Sequence, residues 1–384
     1  MQKKLKYSTA VRGRYEVFDI CRELSKLQLL HQLISTYPLF EIKKYNIDLT
    51  KVKKILRIEI MSRINDKLWD RNFYFSKIDY IITDYFDKLT SNALDKNIDI
   101  FIGHGGMCLK TFNSLKKNTL KVFHSASMHI KTKKYLMQKI DYDINKIIDK
   151  DLENKILNEI ETADYIVCTS NHTYNSYIIN NVDEKKLILN PSGINTNKFF
   201  YKKEYNKDQA FNYLFVGNLS KRKGIDLVLQ AYEKVRNKNT KLVLAGFIEK
   251  QMKNILNQYL KFDDIIFLGK IKNSEMYKLY SSSHLMLVVS AEEGFAAVIG
   301  EALASGLPVI CSKNSGGSHF IKNKNHGKVM DNVNLNELID IMKEYQSYQS
   351  NIIENKQELS DFFRNNYSWE KSTKNLVKIL NNLY

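Results

Sequence analysis

Two glutamates, Glu293 and Glu301, lie eight residues apart between two apolar runs, 284–290 and 307–312. Near-continuous apolar runs of this length are typical of strands covered on both faces, and the segment between them predicts a short helix that ends at Gly306. A carboxylate accepts hydrogen bonds from neighbouring hydroxyl groups. One glutamate is therefore suited to hold a sugar and the other to hold a ribose.

The first turn of this helix offers a second kind of binding group. We expect the helix to begin near Phe295 or Ala296, so that Gly294 and Ala297 also lie at its start. The unpaired N–H groups and the positive end of the helix dipole favour an anion such as phosphate, and ligands of open parallel sheets bind at the carboxyl ends of the strands. The two carboxylates are suited to bind hydroxyl groups, and the N–H groups between them are suited to bind phosphate. This combination predicts a nucleotide-sugar pocket. An ordinary strand-helix-strand unit with two surface carboxylates is the alternative.

These residues resemble a known family, the family 4 glycosyltransferases, which are retaining enzymes with the GT-B fold. The residues that carry the resemblance are Glu293-Gly294-Phe295 and Glu301-Ala302, which match the family's E-x7-E element, together with Gly306-Leu307-Pro308-Val309 and Gly316-Gly317. The resemblance implies two Rossmann-like, doubly wound parallel-sheet domains that face a cleft. It also implies transfer of a sugar from a nucleotide-diphosphate donor to an acceptor hydroxyl, with no cofactor and no metal.

The leaving diphosphate gains negative charge during this reaction, so the enzyme needs cations or N–H groups beside it. Residues 211–223 predict the first strand and phosphate loop of the second domain, and Lys223 is the cation expected to face the diphosphate. The family usually has an arginine where this sequence has Asn218, and Arg222 or Lys221 is available as a substitute. Phe320 stands where many members have a glutamate after the glycine pair, a difference that concerns donor preference.

The first half of the chain supplies the other side of the cleft. Gly13 lies in the first strand-to-helix turn, where the resemblance implies close approach of the backbone to the donor phosphates. His124 and His129 lie at the end of a strand predicted near 119–127, and either one is a candidate to hydrogen-bond the transferred sugar. Ser170 ends another predicted strand and lines the same cleft.

The predicted site thus has two sets of residues. The catalytic set is Glu293, Lys223, His129 and His124. The donor-binding set is Gly13, Asn218, Arg222, Gly294, Phe295, Ala296, Ala297, Glu301 and Ser170.

Strand and helix patterns alternate in both halves of the chain, which predicts an α/β protein with parallel sheets. We place the acceptor-side domain at 1–197 and the nucleotide-sugar domain at 198–368, with a last helix at about 369–384 that crosses back to the first domain. The four cysteines lie far apart, the N-terminus lacks the apolar core of a signal peptide, and no run of eighteen apolar residues occurs. These features predict a cytoplasmic protein, with peripheral attachment at the inner face of the cell membrane as a further option.

The formal net charge of +17 calls for an anionic partner, such as a membrane surface, a nucleotide or a nucleic acid, although genome composition also explains it. The pattern of the segment 41–89 predicts helices that are rich in basic and aromatic residues. Its cations from Lys43 to Arg71 alternate with apolar residues, which predicts either a surface that lies on an anionic membrane or the solvated face of a packed helix pair.

The predicted function is retaining sugar transfer from a nucleotide sugar to a glycan or lipid-linked glycan acceptor, in the assembly of a bacterial surface glycan. A nucleotide-sugar epimerase of the same fold, or a catalytically weak relative that binds sugar nucleotides, is the alternative. A basic nucleic-acid-binding protein is more remote, because no recognised nucleic-acid module accompanies the charge. We therefore expect no nucleic-acid partner.

Overall fold

The computed structural model describes residues 4–13, 16–68, 77–142, 148–205 and 210–384. Part of the predicted membrane segment, including Trp69 and Arg71, lies outside these residues, as do Arg14 and Tyr15 after the first strand. The described residues form two sheets, in which every strand pair is parallel.

The first sheet has seven strands in the order β3-β2-β1-β4-β5-β6-β7. Its strands are β1 (Tyr7–Val11), β2 (Leu30–Ser35), β3 (Val52–Lys54), β4 (Ile100–His104), β5 (Leu120–Ser125), β6 (Tyr165–Cys168) and β7 (Leu187–Leu189). The helices around it are α1 (Val17–Lys26), α2 (Leu39–Lys43), α3 (Leu56–Leu68), α4 (Lys77–Ala93), α5 (Leu109–Ser114), α6 (Ile130–Gln138), α7 (Lys150–Thr162) and α8 (Asn171–Ile179). The strand order doubles back at β1, which places the β1–α1 turn and the end of β4 at the switch point where such sheets bind ligands.

The segment 41–89 is less helical than its pattern predicted. A 3-10 turn at Leu49–Lys51 leads into β3, which pairs with β2 at the edge of the first sheet. β3 is short, basic and mostly exposed, so it lacks the apolar run that marks a central strand. The prediction of a helix through Val52–Lys54 was wrong for that reason.

The second sheet has six strands in the order β10-β9-β8-β11-β12-β13. Its strands are β8 (Phe211–Val216), β9 (Thr240–Ala245), β10 (Ile265–Gly269), β11 (Leu285–Val288), β12 (Val309–Ser312) and β13 (Gly327–Met330). Its helices are α9 (Ile225–Val235), α10 (Lys253–Tyr259), α11 (Met276–Ser282), α12 (Ala297–Ala304), α13 (Leu335–Ser347) and α14 (Gln349–Asn366). All residues of β11 and β12 are buried, as the two apolar runs predicted.

The last helix, α15 (Trp369–Leu383), follows the second sheet in sequence but packs against the first. Its Leu376 and Leu380 belong to the hydrophobic core of the first sheet, and Tyr7 Oη donates to Asn381 Oδ1 at 2.7 Å. Backbone hydrogen bonds join Ile194 to the residues just before and at the start of α15. The chain therefore crosses between the two sheets twice at nearly the same place.

The predicted fold class is confirmed, because two doubly wound parallel sheets are present. The sheets lie within 7–189 and 211–330, and the boundary predicted at 197 remains a prediction. Within the described residues, no helix is both long enough and apolar enough to cross a membrane.

We expect Leu380→Ala to lower the free energy of unfolding by about 2–5 kcal/mol, because it removes a fully buried side chain and leaves a cavity between α15 and the first sheet. Leu383→Ala on the same helix is the matched control, since Leu383 is 38% exposed. Urea denaturation of the two variants measures the difference. Equal effects of the two substitutions would contradict the proposed packing of α15.

Candidate functional site

The loop between β11 and α12 brings the predicted site residues to the carboxyl edge of the second sheet. Ala296 is the N-cap of α12, within one residue or two of the predicted start, and among the described residues no side chain caps it. The Ala296 N–H donates to Ser315 O at 3.0 Å, so the free N–H groups belong to the residues that follow it. Ala297 is exposed and is the first of these residues.

Glu293 lies in this loop and contacts two cations. Lys223 Nζ forms an ion pair with Glu293 Oε1, and Arg222 Nη1 lies 3.4 Å from the same oxygen. Burial raises the pKa of Glu293, but the neighbouring charges of Lys223 and Arg222 outweigh it and hold the pKa below its usual value. Glu293 is therefore an anion whose main partner is the lysine that we expected to face a phosphate.

A second carboxylate, Glu292, was missed in the sequence analysis. It is 2% exposed, and its Oε2 lies 3.6 Å from Arg222 Nη1 and 3.9 Å from Lys133 Nζ of α6. Arg222 Nη1 also donates to the backbone oxygen of Glu292 at 2.9 Å. The available signal was an acidic residue directly beside Glu293, but only the tertiary structure shows that Lys133 reaches it from the other sheet.

Glu301 lies on α12, about one helical turn after Ala297, in different surroundings. Tyr280 Oη of α11 donates to Glu301 Oε2 at 2.9 Å. Burial raises the pKa of Glu301 to about 7, against the lowering effects of Tyr280 and Lys198. The two glutamates of the E-x7-E element thus differ in charge near neutral pH, with Glu293 ionised and Glu301 partly protonated.

The loop after β8 supplies the cations. Gly224, with φ +74°, is the N-cap of α9, and a Cβ there would lie 2.6 Å from Val289 O. This close contact brings Arg222 and Lys223 beside the loop that carries Glu293. Asn218 is exposed, and Arg222 rather than Asn218 lies among the carboxylates.

The two predicted cleft histidines have different surroundings. His124 is 3% exposed, burial lowers its pKa, and its Nδ1 lies 3.5 Å from Glu16 Oε1, a residue that the sequence analysis did not single out. His129 caps α6, since its Nδ1 accepts from Lys131 N at 3.3 Å, and burial together with the Lys131 charge lowers its pKa to about 4. Both side chains are therefore neutral near pH 7, and their catalytic roles stay predictions.

Gly13 and Ser170 also lie at the carboxyl edge of the first sheet. Gly13 has φ +83°, and its N–H donates to Thr36 Oγ1 at 3.1 Å. Ser170 caps α8 and donates from Oγ to Gly294 O at 2.7 Å, so it contacts the Glu293 loop itself. Phe295 packs against Phe320, with ring centroids 5.5 Å apart, and Phe320 is fully buried.

Within the part of the chain that the structure describes, no three His, Cys, Asp or Glu side chains are placed to hold one metal ion.

Comparison with known proteins finds a family model that matches the part of the chain with Glu293, Glu301 and Lys223. Residues 197–359 match the model of the family described as glycosyl transferases group 1. An uncharacterized glycosyltransferase of Methanocaldococcus jannaschii is 24% identical over 318 residues, which cover 80% of this chain and 82% of that protein. The lipopolysaccharide 1,2-N-acetylglucosaminetransferase of Salmonella typhimurium is 33% identical over 126 residues, which cover 30% of this chain and 33% of that protein.

The fold comparison agrees with the sequence comparison. The structure of sucrose-phosphate synthase from Thermosynechococcus elongatus superposes with a TM-score of 0.73 at 15% identity, over 99% of each chain. The superposition shows the fold, and the family match with the similarity to the Methanocaldococcus jannaschii glycosyltransferase confirms the predicted resemblance to glycosyltransferases.

Glu301 makes stability depend on pH. Because its folded-state pKa is raised from 4.5 to about 7, the folded protein binds more protons than the unfolded chain in this range, and the contribution of Glu301 to stability falls as pH rises through it. Glutamine cannot ionise, so Glu301→Gln removes this loss. We expect the change in the free energy of unfolding caused by Glu301→Gln to be more stabilising at pH 8 than at pH 5, by on the order of 1–3 kcal/mol.

Denaturation of the variant at both pH values measures this difference, and the exposed Glu354→Gln serves as the control. An equal effect of Glu301→Gln at pH 5 and pH 8 would show that Glu301 is ionised in the folded protein throughout this range.

Proposed function

Because residues 197–359 match the model of the glycosyl transferases group 1, we propose that this protein transfers a sugar from a nucleotide-diphosphate sugar to an acceptor hydroxyl, with retention of the anomeric configuration. The observation that carries the proposal is the ion pair of Lys223 with Glu293, placed beside the N-terminus of α12. This arrangement combines a cation, free N–H groups and a carboxylate at the carboxyl edge of a parallel sheet.

Each part of this arrangement has a role in the proposed reaction. The bond between the anomeric carbon and the diphosphate oxygen breaks, and negative charge develops on the leaving diphosphate. The acceptor oxygen bonds to the anomeric carbon on the same face, and the proton of the acceptor hydroxyl passes to the leaving diphosphate. Lys223, Arg222 and the first turn of α12 are positioned to stabilise that charge. Glu293 is ionised and suited to accept hydrogen bonds from hydroxyl groups of the transferred sugar, while Glu301 is suited to the ribose.

The ion pair also implies an exchange of partners when the donor binds. Lys223 contacts Glu293 in the structure, and a diphosphate beside α12 would compete for its ammonium group. Glu293 would then turn from Lys223 to the sugar hydroxyl groups. Since the protein supplies the cations itself, we propose that transfer needs no divalent metal.

We propose a growing surface glycan as the acceptor. The similarity to a lipopolysaccharide N-acetylglucosaminetransferase supports this choice, because that protein's name describes a surface-glycan enzyme.

Incubation with a panel of nucleotide sugars and measurement of the released nucleotide test the proposal. We expect the protein to release nucleotide from one or a few of the nucleotide sugars. We expect Lys223→Ala to lower turnover by a factor of about 10²–10³, because it removes a contact that strengthens in the transition state. Lys221→Ala is the matched control, since Lys221 is exposed two residues away.

Addition of EDTA is expected to leave turnover unchanged. Activity that is lost with EDTA, restored by Mn²⁺ and insensitive to Lys223→Ala would overturn the mechanism. Formation of an epimerised nucleotide sugar without release of nucleotide would assign the site to an epimerase instead.

We further propose that α2 and α3 rest on an anionic membrane surface. Large apolar side chains project from these helices into solvent, with exposures of 67% for Phe40, 48% for Leu56 and 52% for Ile60. Exposed cations surround them, and these are Lys43, Lys44, Lys51, Lys53, Lys54, Arg57 and Arg63. A merely solvated helix face explains the cations but not the projecting apolar side chains, whereas the interface of an anionic bilayer accommodates both.

Sedimentation with anionic vesicles at low salt measures this attachment. We expect the wild-type protein to bind, and the double variant Phe40→Ser, Ile60→Ser to bind about tenfold more weakly, because two apolar contacts with the bilayer are lost. Ile179→Ser is the control, since Ile179 is 73% exposed on α8 of the same domain. Wild-type protein that stays in the supernatant at low salt would exclude the membrane proposal.

A further inference from the structure

The Gly294–Phe295 peptide, one residue beyond Glu293, is held by residues of the first domain. Ser170 Oγ and Thr173 Oγ1, both on the carboxyl side of β6, donate to Gly294 O at 2.7 and 3.0 Å. Ser170, Thr173 and Gly294 are all buried. The carbonyl oxygen of Gly294, in a loop of the second sheet, thus accepts hydrogen bonds from two hydroxyl groups of the first domain.

The same peptide leaves no room for a side chain. A Cβ on Gly294 would lie 2.3 Å from Ala126 O and 2.4 Å from Ser127 Cα, both in the loop after β5. On its other side, a Cβ on Gly316 would lie 2.5 Å from Gly294 O. Gly294 is therefore enclosed between the two sheets, and its carbonyl has a fixed direction.

Backbone hydrogen bonds within the second domain hold the loop on both sides of this peptide, since Ala296 N after it donates to Ser315 O at 3.0 Å. Ala291 N donates to Arg222 O at 2.9 Å, and Glu293 N donates to Asn314 O at 2.8 Å. Glu292 extends the contact with the first sheet, because its carboxylate lies between Arg222 and Lys133. Between these backbone bonds, the Gly294 carbonyl consequently takes its hydrogen-bond donors from the first domain.

We infer that Ser170 and Thr173 are positioning residues for sugar transfer, which hold the Glu293 loop in place from the first domain. This inference rests on the proposed function. The expectation that Ser170 binds the donor directly stays a prediction beside it. The two hydroxyl groups donate to the Gly294 carbonyl and not to Glu293 or Lys223, and they act through that carbonyl on the direction of the Glu293 carboxylate.

The double variant Ser170→Gly, Thr173→Val tests the inference. Glycine at an N-cap costs a helix only a few tenths of a kcal/mol relative to serine, and valine has nearly the shape of threonine, so the fold is expected to survive. We expect kcat to fall about tenfold. The affinity for the free nucleoside diphosphate, measured by calorimetry, should stay within twofold, because Lys223 and Arg222 are anchored in the second domain.

Two single variants serve as controls. Thr173→Ser keeps the hydroxyl group and should retain nearly wild-type kcat. Ser372→Ala removes a hydroxyl-to-carbonyl bond away from the site, where Ser372 Oγ of α15 donates to Pro191 O after β7 at 2.7 Å, and should leave kcat unchanged.

Hydrogen exchange of the backbone amides of 293–298 provides a readout that does not need a known donor. We expect faster exchange in the double variant but not in Ser372→Ala. Unchanged exchange, wild-type kcat in the double variant, or an equal loss in Ser372→Ala would each overturn the inference. A wild-type protein that releases no nucleotide from any donor would overturn the proposed function, while the exchange measurement would still decide whether the hydroxyl groups hold the loop.

Discussion

A carboxylate that is removed from water is stable as an anion only when cations or hydrogen-bond donors lie close to it. The arrangement around 291–297 follows from this constraint. Glu292 and Glu293 are adjacent in sequence in the loop after a buried strand. Arg222 and Lys223, in a loop of the same sheet, lie beside their carboxylates and form ion pairs with them. Lys133 adds a cation from the first sheet, so the charge of one loop is balanced by residues from both halves of the chain.

The same loop is the point where the carboxyl edges of the two sheets meet. Gly294 allows the contact because any larger residue would overlap with Ala126 and Ser127. At the opposite end of the boundary, Gly193 has the same role, since a Cβ there would lie 2.4 Å from Trp369 Cα. One close backbone contact therefore joins loops of the two sheets beside the site, and another joins the two crossing segments where α15 returns to the first sheet.

Much of the fold could be predicted from the sequence, because buried parallel strands have a strong local pattern. The runs that became β11 and β12 are apolar throughout, and the helix between them ends at Gly306 as expected. β3 could not be recognised, because an exposed edge strand with two lysines carries no apolar run. The site was predicted in part: Glu293, Lys223 and Arg222 do lie together, but Glu16, Glu292 and Thr173 acquire their contacts only through folding.

The sequence by itself determined which residues could do chemistry and which strands carry them, since both follow from residue type and short-range spacing. It also indicated the family through the E-x7-E element. The tertiary structure alone decided which of these residues touch: Lys223 pairs with Glu293, and Ser170 holds the Gly294 carbonyl across 124 positions of sequence. Contacts of this kind depend on how two separately folded sheets face each other, and no local pattern contains that information.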